Sequence, residues 1–532
     1  MTVDSIPKEQ DPYPFENFSE VIRRNAFLYQ DDEAFVIGSD RVTYADFNKR
    51  VNRVVHALRE AGCKKGDFIG IMSMNCMEYL EVYGAAMKGG YILTHLSPRF
   101  SKRELEDIVS RTDIKVLFCT SEFSETVRAF RHKMKGLKHS IVFDEEFPVA
   151  GYKRFLEEHG PDEIEVALKA GDPLTVLFSR GTTGPAKGAL YTHGQKLANS
   201  VNRAIELDVR CKDRNLVVLP ISHIAGESHL WPFFLTGGCS VIMEEIVFNP
   251  LNMLRIIHEE KITDAFIFSP QLVTLLKTPN FDRYNIGSLK RIWYSGIPIP
   301  LDILERGIRM LGPVFLQGYG TTEAGPDITL LSREDHAQAF EQPQRKGILS
   351  SCGKPSLGVQ VRIVDDKEQD LPPGEKGEII ARSDHLMSGY WGKPEETRKV
   401  MRNDWFYTGD TGFQDENGYI YLADRKEDII NIGGENISSK EIEDVLKHYY
   451  AVSDAAVIGV PDSDGVEHIL GVVVLIGGAE EVTADDIVYF CNGRIEQYKF
   501  PERIEFITVL PKSTQGTILK RELRKRFSVW MG

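Results

Sequence analysis

The sequence predicts an α/β protein with helix-covered, largely parallel sheets and a smaller α+β unit towards its C-terminal end. Short, continuously apolar runs recur between residues 68 and 295, and helix-length stretches separate them. Strands of this kind, joined by crossovers, are typical of parallel sheets buried on both faces. After about residue 350 the segments become shorter and richer in glycine, which favours hairpins over crossovers.

The composition is that of an ordinary globular protein and excludes several classes of function. Of the 532 residues, 42% are hydrophobic and 27% are charged, which is enough for several hydrophobic cores. The formal net charge of −14 leaves no sequence-independent electrostatic footprint for nucleic acid, so we expect no nucleic-acid partner. The seven cysteines are scattered and never form a CxxC pair, which argues against a disulfide framework or a zinc site.

No segment of the sequence suggests secretion or a membrane span. The acidic, proline-containing start lacks the apolar core of a signal peptide, and no run of about 18 apolar residues occurs. We therefore expect a soluble, cytoplasmic protein without a transmembrane segment. The sequence gives no indication of oligomeric state.

The first half of the chain is predicted to alternate between helices and strands. Phe47, Val51, Val54 and Leu58 recur at helical spacing before Gly62, which predicts an amphipathic helix with a glycine stop. Buried strands are predicted at FIGIM (68–72), LTVLF (174–178), LVVLP (216–220), DAFIF (264–268) and RIWYS (291–295). The intervals between these runs leave room for the crossover helices that parallel strands require.

The last third of the chain predicts a hairpin-rich segment followed by a compact α+β unit. VRIVDD, LPPGEKG and EIIAR are typical of strand, turn and strand. Further strands near 455–460 and 471–476 precede a basic last helix, KRELRKRF. Because no low-complexity linker occurs, we divide the chain into 1–424 and 425–532 and expect a hinge at 424–428.

A turn rich in glycine and threonine is the most informative segment. TVLFSRGTTGPAKGALYTHG runs from a strand into residues 181–184 and Lys187, offering backbone amides, hydroxyls and an ammonium to a polyphosphate. The Walker pattern requires Ser or Thr directly after the lysine, but Gly188 follows here, so a kinase-type P-loop is excluded. Taken alone, the segment also suits a surface turn.

Two further segments carry aromatic, hydroxyl and carboxylate side chains. In QGYGTTEAG, Tyr319 could stack on a base, Thr322 could bond a phosphate, and Glu323 could coordinate a hard cation. In WFYTGDT, Asp410 suits ribose hydroxyls, and Arg425 lies on the far side of a hairpin. Each segment alone also fits a structural role, since an Asp in such a turn commonly bonds its own backbone.

Together, in this order and spacing, these segments resemble the adenylate-forming acyl-CoA synthetase superfamily over about residues 18–527. The resemblance implies a large N-terminal region of two sheet-and-helix subdomains plus a distorted β-barrel, and a small mobile C-terminal lid. It also implies ATP, Mg²⁺ and CoA as cofactors and a small-molecule carboxylate as substrate. The acid would displace pyrophosphate from ATP, and the CoA thiol would then displace AMP from the acyl-adenylate.

The resemblance also implies a role for each motif residue. It assigns the phosphate loop to Gly181, Thr182, Thr183, Gly184 and Lys187. It assigns the adenine-binding turn to Ser295, Gly296, Ile297 and Pro298, with Tyr319 stacking on the purine, and further ATP or AMP contacts to Gly318, Gly320 and Thr321. Thr322 and Glu323 would hold the α-phosphate and magnesium, Asp410 and Arg425 the ribose, and Gly433, Gly434 and Glu435 the CoA. Thr182, Lys187, Thr322, Glu323 and His223 form the implied catalytic set.

The acyl pocket is expected beside the segment LPISHIAG. His223 lies where the family places an aromatic residue or a histidine next to the acyl pocket and the pantetheine tunnel, although a lone histidine here can equally be packed. The resemblance adds pocket positions at Ile224, Ala225, Gly226, Trp293 and Tyr294. Their apolar and aromatic character favours a medium-chain, alicyclic or aryl carboxylate. Ile224 replaces the aspartate of amino-acid-activating relatives, which argues against an amino-acid substrate.

One position departs from the family pattern. Relatives carry a lysine after the glycine of LPKTxSGK, which bonds both reactants during adenylation, whereas LPKSTQGT places Thr517 there. Losing one such donor costs about 3–4 kcal/mol, or on the order of a hundred- to a thousandfold in rate. Lys520, Lys512 and Lys499 are candidate substitutes.

Several hypotheses are open at this point. The chain is a ligase with slow or rescued adenylation, a thioesterification enzyme that receives a preformed acyl-adenylate, or a silent nucleotide- or acyl-CoA-binding relative. Alternatively, Thr517 was introduced to trap one conformation. Lys187, Glu323, Asp410 and Arg425 are retained, which weighs against the silent relative because binding alone has little need of a magnesium carboxylate.

Overall fold

The computed structural model describes twelve stretches of the chain, which are residues 15–144, 151–179, 186–244, 247–279, 281–296, 299–325, 327–425, 428–432, 435–462, 467–479, 481–513 and 516–528. At residues 282, 424, 425, 431, 435 and 436 the description covers the backbone alone. Helices and strands alternate along these stretches.

The strands are β1 (Glu33–Ile37), β2 (Asp40–Thr43), β3 (Phe68–Met72), β4 (Ile92–His95), β5 (Ile114–Cys119), β6 (His139–Val142), β7 (Pro173–Ser179), β8 (Lys187–Thr192), β9 (Arg214–Val217), β10 (Cys239–Ile242), β11 (Asp264–Phe268), β12 (Arg291–Ser295), β13 (Phe315–Tyr319), β14 (Thr329–Leu331), β15 (Lys354–Pro355), β16 (Gln360–Val364), β17 (Gly377–Arg382), β18 (Gly389–Tyr390), β19 (Met401–Arg402), β20 (Trp405–Gln414), β21 (Ile420–Arg425), β22 (Ile430–Ile432), β23 (Glu435–Ile437), β24 (Val452–Pro461), β25 (Glu467–Leu475) and β26 (Arg503–Phe506).

The helices are α1 (Phe18–Leu28), α2 (Tyr44–Glu60), α3 (Met77–Gly89), α4 (Lys102–Arg111), α5 (Ser124–Phe130), α6 (Tyr152–Leu156), α7 (His193–Glu206), α8 (Ile224–Ser228), α9 (Trp231–Thr236), α10 (Pro250–Glu260), α11 (Ser269–Leu276), α12 (Leu301–Leu311), α13 (Arg333–Glu341), α14 (Pro394–Val400), α15 (Ser439–Lys447), α16 (Ala484–Phe490) and α17 (Lys520–Arg526).

Two large sheets form most of the N-terminal region. Their strand orders are β18-β8-β7-β4-β3-β5-β6 and β15-β14-β13-β12-β11-β9-β10-β1-β2. Strands β3 to β7 pair in parallel in the first sheet, as do β1 and β9 to β13 in the second. Antiparallel strands are added at the ends, which are β8, β18, β2, β14 and β15. The prediction of largely parallel, helix-covered sheets is confirmed.

The motif residues lie where parallel strands of these sheets end. Ser179 ends β7, Ser295 ends β12 and Tyr319 ends β13. In open α/β sheets, ligands bind outside the carboxyl ends of the strands because the connecting loops open there. The topology therefore brings segments that are far apart in sequence to one region.

A third sheet and a small C-terminal unit follow. The third sheet has the order β16-β17-β20-β19, with β21 paired to β20, and it contains the expected hairpin between β16 and β17. In the C-terminal unit, β24 pairs antiparallel with β25, which pairs in parallel with β26. Ile442 and Leu446 of α15 belong to the hydrophobic core of this unit. The domain division at residues 424–425 stays a prediction.

The first amphipathic helix shows how the local sequence determines an element. The Thr43 side chain caps α2 by accepting the Asp46 backbone N–H at 3.1 Å. The four apolar residues at helical spacing, Phe47, Val51, Val54 and Leu58, are all fully buried. This face packs on α3, where Gly84 lets the two helices approach closely.

One strand is shorter than the sequence predicts. The apolar run 216–220 extends β9 only as far as Val217. Beyond it, Asn75 donates a side-chain hydrogen bond to the Leu219 carbonyl at 3.2 Å and accepts one from the Ile221 N–H at 2.9 Å. Because these backbone groups pair with a side chain, the ladder stops before the run ends.

In the described part of the chain, no helix combines the length and the hydropathy that crossing a bilayer requires.

Replacing Gly84 with alanine should destabilise the N-terminal region. A Cβ here would lie 2.5 Å from Val51 Cγ2 and 3.0 Å from Phe47 Cζ. Overpacking costs about 1–3 kcal/mol, which exceeds the roughly 1 kcal/mol gained in helix propensity. We expect a lower midpoint of urea denaturation followed by tryptophan fluorescence. Gly347→Ala is the control because nothing lies within 4 Å of its added Cβ; equal midpoints for both variants would contradict the close approach of α2 and α3.

Candidate active site

One carboxylate lies where the two large sheets meet. Glu323 belongs to a short 3-10 turn directly after β13. Its Oε1 accepts hydrogen bonds from the Tyr390 hydroxyl at 2.9 Å and from the Ser179 hydroxyl at 3.4 Å. Ser179 and Tyr390 belong to β7 and β18 of the other sheet. Glu323 is partly exposed, so its carboxylate remains accessible to a ligand.

The backbone around Glu323 is held in place from two sides. The Tyr191 hydroxyl donates to the Thr322 carbonyl, and the Met387 N–H donates to the Glu323 carbonyl at 3.0 Å. Gly325 ends the turn at φ +81°, a conformation that favours glycine. The turn is therefore fixed by hydrogen bonds to its backbone, which leaves the Glu323 side chain for the site.

A second carboxylate is fixed by an aromatic hydroxyl. The Tyr319 hydroxyl donates to Asp410 Oδ2 at 2.8 Å. Burial raises the pKa of the Tyr319 phenol well above its ordinary value, and the Asp410 charge adds to the shift, so the hydroxyl stays protonated. The backbone of Asp410 pairs with that of Arg425 in the β20–β21 ladder, as the hairpin prediction required. The structure thus brings Tyr319, Asp410 and the Arg425 backbone together.

Lys187 begins β8 and contacts the same tyrosine as Glu323. Its Nζ lies 3.2 Å from Glu396 and 5.1 Å from the centre of the Tyr390 ring. Tyr390 therefore connects the candidate phosphate lysine with the candidate magnesium carboxylate. The ion pair with Glu396 occupies Lys187 in this structure.

Two further cations surround the start of β8. Arg111 donates to the Ala186 carbonyl at 2.7 Å, and Lys393 donates to it at 3.4 Å. Burial lowers the pKa of Lys393, and the nearby Arg111 charge lowers it further. Arg111 pairs with Asp107 at 2.6 Å and Lys187 pairs with Glu396, so a polyphosphate bound here would compete with carboxylates for these cations.

His223 is a partly buried, neutral cap of a short helix. Its Nδ1 accepts the Ala225 N–H at 3.1 Å at the start of α8, and its ring packs edge-on against Phe268 at 5.8 Å. Burial, with the Arg99 charge, lowers the pKa of His223 to about 4. Ile224 and Gly226 follow in α8, and a Cβ at Gly226 would clash with the Pro220 carbonyl. These contacts fix the position of the His223 ring at the start of α8.

Two residues assigned to one pocket lie on opposite faces of a strand. Trp293 packs with Ala225 and Phe266 in one core cluster, whereas Tyr294 lies in a different cluster and bonds His336 at 2.9 Å. Successive side chains of a strand point to opposite faces. The grouping of Tyr294 with Trp293 is therefore corrected, and only Trp293 shares the face of Ala225.

The glycines of the adenine segment have identifiable local roles. Gly296 has φ +105°, which only glycine adopts readily, and follows Ser295, whose carbonyl accepts the Ser269 hydroxyl at 3.1 Å. A Cβ at Gly318 would lie 2.5 Å from Trp293 Nε1. Thr321 precedes the 3-10 turn that carries Glu323. These positions stay candidate nucleotide contacts, as does Gly320.

The lysines proposed as substitutes at the C-terminal end are all ion-paired. Lys520 is buried, 2.6 Å from the Ser439 hydroxyl and 2.8 Å from Glu443. Lys512 pairs with Asp454 at 2.5 Å, and Lys499 pairs with Glu441 at 2.9 Å. Thr517 lies in a tight hairpin, where its carbonyl accepts the Ser513 N–H at 2.8 Å. In this conformation the three lysines are engaged within the C-terminal unit.

Several predicted site residues lie outside the described residues, which are Gly181, Thr182, Thr183, Gly184, Ile297, Pro298, Gly433 and Gly434. For Arg425 and Glu435 the backbone alone is described.

Sequence reasoning missed three residues that shape the site. Ser179, Tyr390 and Glu396 contact Glu323 or Lys187 directly. The available signal was the segment GYWGKPEETRKV, which combines aromatic, glycine and charged residues at 389–400. This segment contains no recognisable binding or catalytic motif, because its residues contact the site only through strands that are distant in the sequence.

Comparison with known proteins identifies relatives over nearly the whole chain. Residues 22–391 match the AMP-binding enzyme family, and residues 441–517 match the AMP-binding enzyme C-terminal domain. A feruloyl-CoA synthase from an Amycolatopsis species is 33% identical over 491 residues, 92% of this chain and 95% of that protein. The amide bond synthetase McbA from Marinactinospora thermotolerans is 27% identical with a TM-score of 0.82, over 96% of this chain and 99% of that chain. A fatty acyl CoA synthetase from Mycobacterium tuberculosis is 28% identical with a TM-score of 0.79, over 96% and 98%.

The fold and the site define an adenylate-forming enzyme with a large N-terminal domain and a smaller C-terminal one. The chain belongs to the AMP-binding enzyme family. The resemblance inferred from its motifs is confirmed.

Replacing Glu396 with glutamine should strengthen polyphosphate binding. The Glu396 carboxylate competes with an incoming phosphate for Lys187, at a nitrogen–oxygen distance of 3.2 Å. An exposed ion pair contributes about 0.2–1 kcal/mol, so we expect the dissociation constant of ATP, measured by calorimetry, to fall up to about fivefold. Glu395→Gln is the matched control, because Glu395 pairs with Arg398 instead. An equal effect of both substitutions would refute the competition.

Proposed function

We propose that this protein is an acyl-CoA synthetase, an AMP-forming acid–thiol ligase that joins a carboxylic acid to CoA through an acyl-adenylate. The observation that carries the proposal is the Glu323 carboxylate, held by Ser179 and Tyr390 where the two sheets meet, with Lys187 on the same tyrosine. CoA ligases of this family use ATP, Mg²⁺ and CoA. We also propose a cytoplasmic location.

The residues present fit ATP and Mg²⁺. Among the described residues, no group of three or more His, Cys, Asp or Glu side chains could enclose a metal ion. Mg²⁺ commonly binds through one or two carboxylates plus substrate phosphates, and Glu323 with its hydroxyl neighbours provides such oxygens. When bound, Mg²⁺ neutralises phosphate charge that would repel the incoming carboxylate.

In the first half-reaction a carboxylate oxygen attacks the α-phosphorus of ATP. The bond from that phosphorus to the bridging oxygen breaks, and pyrophosphate leaves. The acid is already ionised at pH 7, so the step needs no general base. Lys187, Thr182 and Thr322 would hold the phosphates, and Asp410 would accept the ribose hydroxyls. Alignment of the reactants contributes about 7–11 kcal/mol in favourable cases.

In the second half-reaction the CoA sulfur attacks the acyl carbon. The bond from that carbon to the AMP oxygen breaks, AMP leaves, and the thiol proton passes to solvent. His223 would position the reactants without transferring a proton, because a pKa of about 4 makes its ring a weak base and its Nδ1 is engaged as a cap. Gly433, Gly434 and Glu435 would contact CoA after the C-terminal unit turns about residues 424–428.

A second candidate function is thioesterification of an acyl-adenylate made elsewhere. Thr517 offers no ammonium, and Lys520 is buried against Glu443. Withdrawing Lys520 would leave the Glu443 carboxylate buried and unpaired, which is strongly unfavourable. This cost favours the C-terminal arrangement in which Lys520 stays paired with Glu443, while the residues expected to serve the second half-reaction are retained.

Restoring lysine at position 517 should accelerate adenylation alone. For Thr517→Lys we expect pyrophosphate release with ATP, Mg²⁺ and a panel of aryl and medium-chain acids to rise on the order of a hundred- to a thousandfold. AMP release from a synthetic acyl-adenylate plus CoA should stay within about twofold, because that step does not use the restored ammonium.

Two controls separate the explanations for a slow wild-type enzyme. Thr517→Ala should leave both rates unchanged. Lys520→Met should abolish pyrophosphate release only if Lys520 acts as the substitute donor, and Thr517→Lys should then rescue it. Absence of AMP release from every acyl-adenylate would reject the proposed function itself.

A further inference from the structure

A tyrosine hydroxyl holds the start of the turn that carries Glu323. Tyr191 belongs to β8, the strand that begins with Lys187, and its hydroxyl donates to the Thr322 carbonyl. Alternate residues of a strand point to the same face of the sheet, so Lys187 and Tyr191 share one face of β8. One strand therefore supplies both the candidate phosphate lysine and a support for the candidate magnesium carboxylate.

Tyr191 is a fixed donor in a closed environment. Its side chain is buried and packs in one hydrophobic cluster with Ile224, Met387 and Tyr390. Burial raises the pKa of the Tyr191 phenol well above its ordinary value, and the charge of Glu323 adds to the shift. The hydroxyl thus stays protonated and continues to donate to the backbone of the turn.

A buried lysine lies on the Tyr191 ring. Lys196 Nζ is 4.2 Å from the ring centre and 2.9 Å from the Glu227 carboxylate. The Lys196 and Glu227 side chains are only 4% and 0% exposed. Separating such a pair would leave a charge buried without its partner, which is strongly unfavourable. Because the cation is also attracted to the face of the ring, it restrains the ring from which the hydroxyl reaches Thr322.

Glu227 connects this lysine to two further helices. Glu227 belongs to α8 and also accepts the Tyr83 hydroxyl of α3, whereas Lys196 belongs to α7, which follows β8 directly. A continuous set of contacts therefore runs from Tyr83 through Glu227, Lys196 and Tyr191 to the Thr322 carbonyl.

The same helix holds the chain just beyond the turn. Arg203 lies two helical turns after Lys196 on α7, so the two cations share one face of the helix. Arg203 forms a buried ion pair with Asp327. The turn that contains Glu323 is thus anchored before and after the carboxylate by the unit formed by β8 and α7.

The exact position of the Glu323 carboxylate matters most when a metal ion is bound. Mg²⁺ requires near-ideal octahedral geometry with oxygen ligands at about 2.0–2.1 Å. A small shift of the turn should therefore weaken the binding of ATP with Mg²⁺. Binding of ATP without Mg²⁺ does not use this carboxylate and should be insensitive to the shift.

We propose that Tyr191, Lys196 and Glu227 are positioning residues for the binding of ATP with Mg²⁺, acting through the Thr322 backbone on the Glu323 carboxylate. This inference rests on the proposed function and adds to it three buried residues that act from outside the site. A purely structural role, in which their loss changes stability alone, is the alternative outcome of the test.

The test measures the dissociation constant of ATP by calorimetry, in saturating Mg²⁺ and in EDTA. For Tyr191→Phe we expect the constant in Mg²⁺ to rise about three- to tenfold, since one hydrogen bond of ordinary strength is lost. The constant in EDTA should stay within about twofold. An unchanged constant in Mg²⁺, or an equal rise in both conditions, would overturn the inference.

Tyr44→Phe is the matched control for the loss of a buried phenol. The Tyr44 hydroxyl also donates to a backbone carbonyl, that of Gly238 at 2.6 Å, but Tyr44 belongs to a hydrophobic core that does not include Tyr191. This variant should leave both dissociation constants unchanged, and an effect equal to that of Tyr191→Phe would refute the assignment. If ATP binding by the wild-type protein does not respond to Mg²⁺, the proposed function is rejected together with this inference.

A second variant removes the buried ion pair as a whole. Lys196→Met with Glu227→Gln leaves no charge unpaired, and the glutamine keeps an acceptor for the Tyr83 hydroxyl. We expect the dissociation constant in Mg²⁺ to rise about threefold when Tyr191 is present, and not to rise further in the Tyr191→Phe background. Additive effects would show that the pair does not act through Tyr191 and would refute the inference.

Lys88→Met with Glu163→Gln is the control for the ion pair. Lys88 is also fully buried and paired with a glutamate, and its other contacts are to Asn48 and Asn52. This control should leave ATP binding unchanged. Thermal melting and circular dichroism establish that each variant is folded. If Tyr191→Phe does not fold, the variant of Lys196 and Glu227 decides alone, and an unchanged dissociation constant in Mg²⁺ would overturn the inference.

Discussion

The hydrogen bonds of the Glu323 carboxylate to Tyr390 and Ser179 are the contact on which the arrangement of the site depends. They join the carboxyl end of β13 in one sheet to β7 and β18 in the other. Bonds to a charged acceptor contribute about 1.5–3 kcal/mol each, and the partial exposure of Glu323 places these two at or below the lower end of that range. The same tyrosine carries Lys187 on its ring, so the carboxylate and the ammonium are positioned by one residue. The site is thus assembled by the junction itself and not by either sheet alone.

Buried charged groups behind the site also fix the positions of neighbouring helices relative to one another. Lys196 of α7 pairs with Glu227 of α8 at 2.9 Å, and Glu227 also accepts the Tyr83 hydroxyl of α3. These groups connect helices that cover different sheets. Replacing a buried ion pair with apolar residues is often neutral for stability. Their physical consequence is therefore a defined position of α8, and with it of His223 at the start of that helix.

The sequence predicted the features that depend on local periodicity. Phe47, Val51, Val54 and Leu58 identify α2 because burial follows a helical period, and the apolar runs identify the parallel strands for a similar reason. The early end of β9 was not predictable, since its cause is Asn75, well over a hundred residues away. The separation of Tyr294 from Trp293 follows from strand alternation alone, so the sequence contained that information.

The residues of the candidate site also fall into those that the sequence could predict and those that it could not. Glu323, Asp410 and Lys187 could be named as candidate site residues because each belongs to a short motif with fixed spacing. Tyr390, Glu396 and the pairing of Lys520 with Glu443 were not, because each depends on a partner brought close only by the tertiary fold. The motifs indicate which side chains are candidates for binding and catalysis. The contacts that hold those side chains in position come from residues far away in the sequence.

The proposed nucleotide and acyl sides of the site together determine whether the protein binds the acid, AMP or the acyl-adenylate most tightly. Tyr319 ends β13 and Trp293 lies on the neighbouring β12 of the same sheet, whereas Asp410, which accepts the Tyr319 hydroxyl, belongs to the third sheet. In the proposed mechanism Tyr319 and Asp410 form the nucleotide side of the site, and Trp293 belongs to its acyl side. An acyl-adenylate engages both sides at once, and the second contact is then intramolecular, so its affinity exceeds that of the acid or of AMP alone. In the proposed mechanism, Thr517 affects only the step that makes this species from free acid. An enzyme built in this way would keep its selectivity for the acyl group even when the adenylate is supplied from outside, because the expected acyl-pocket residues lie in the N-terminal region and not in the C-terminal unit.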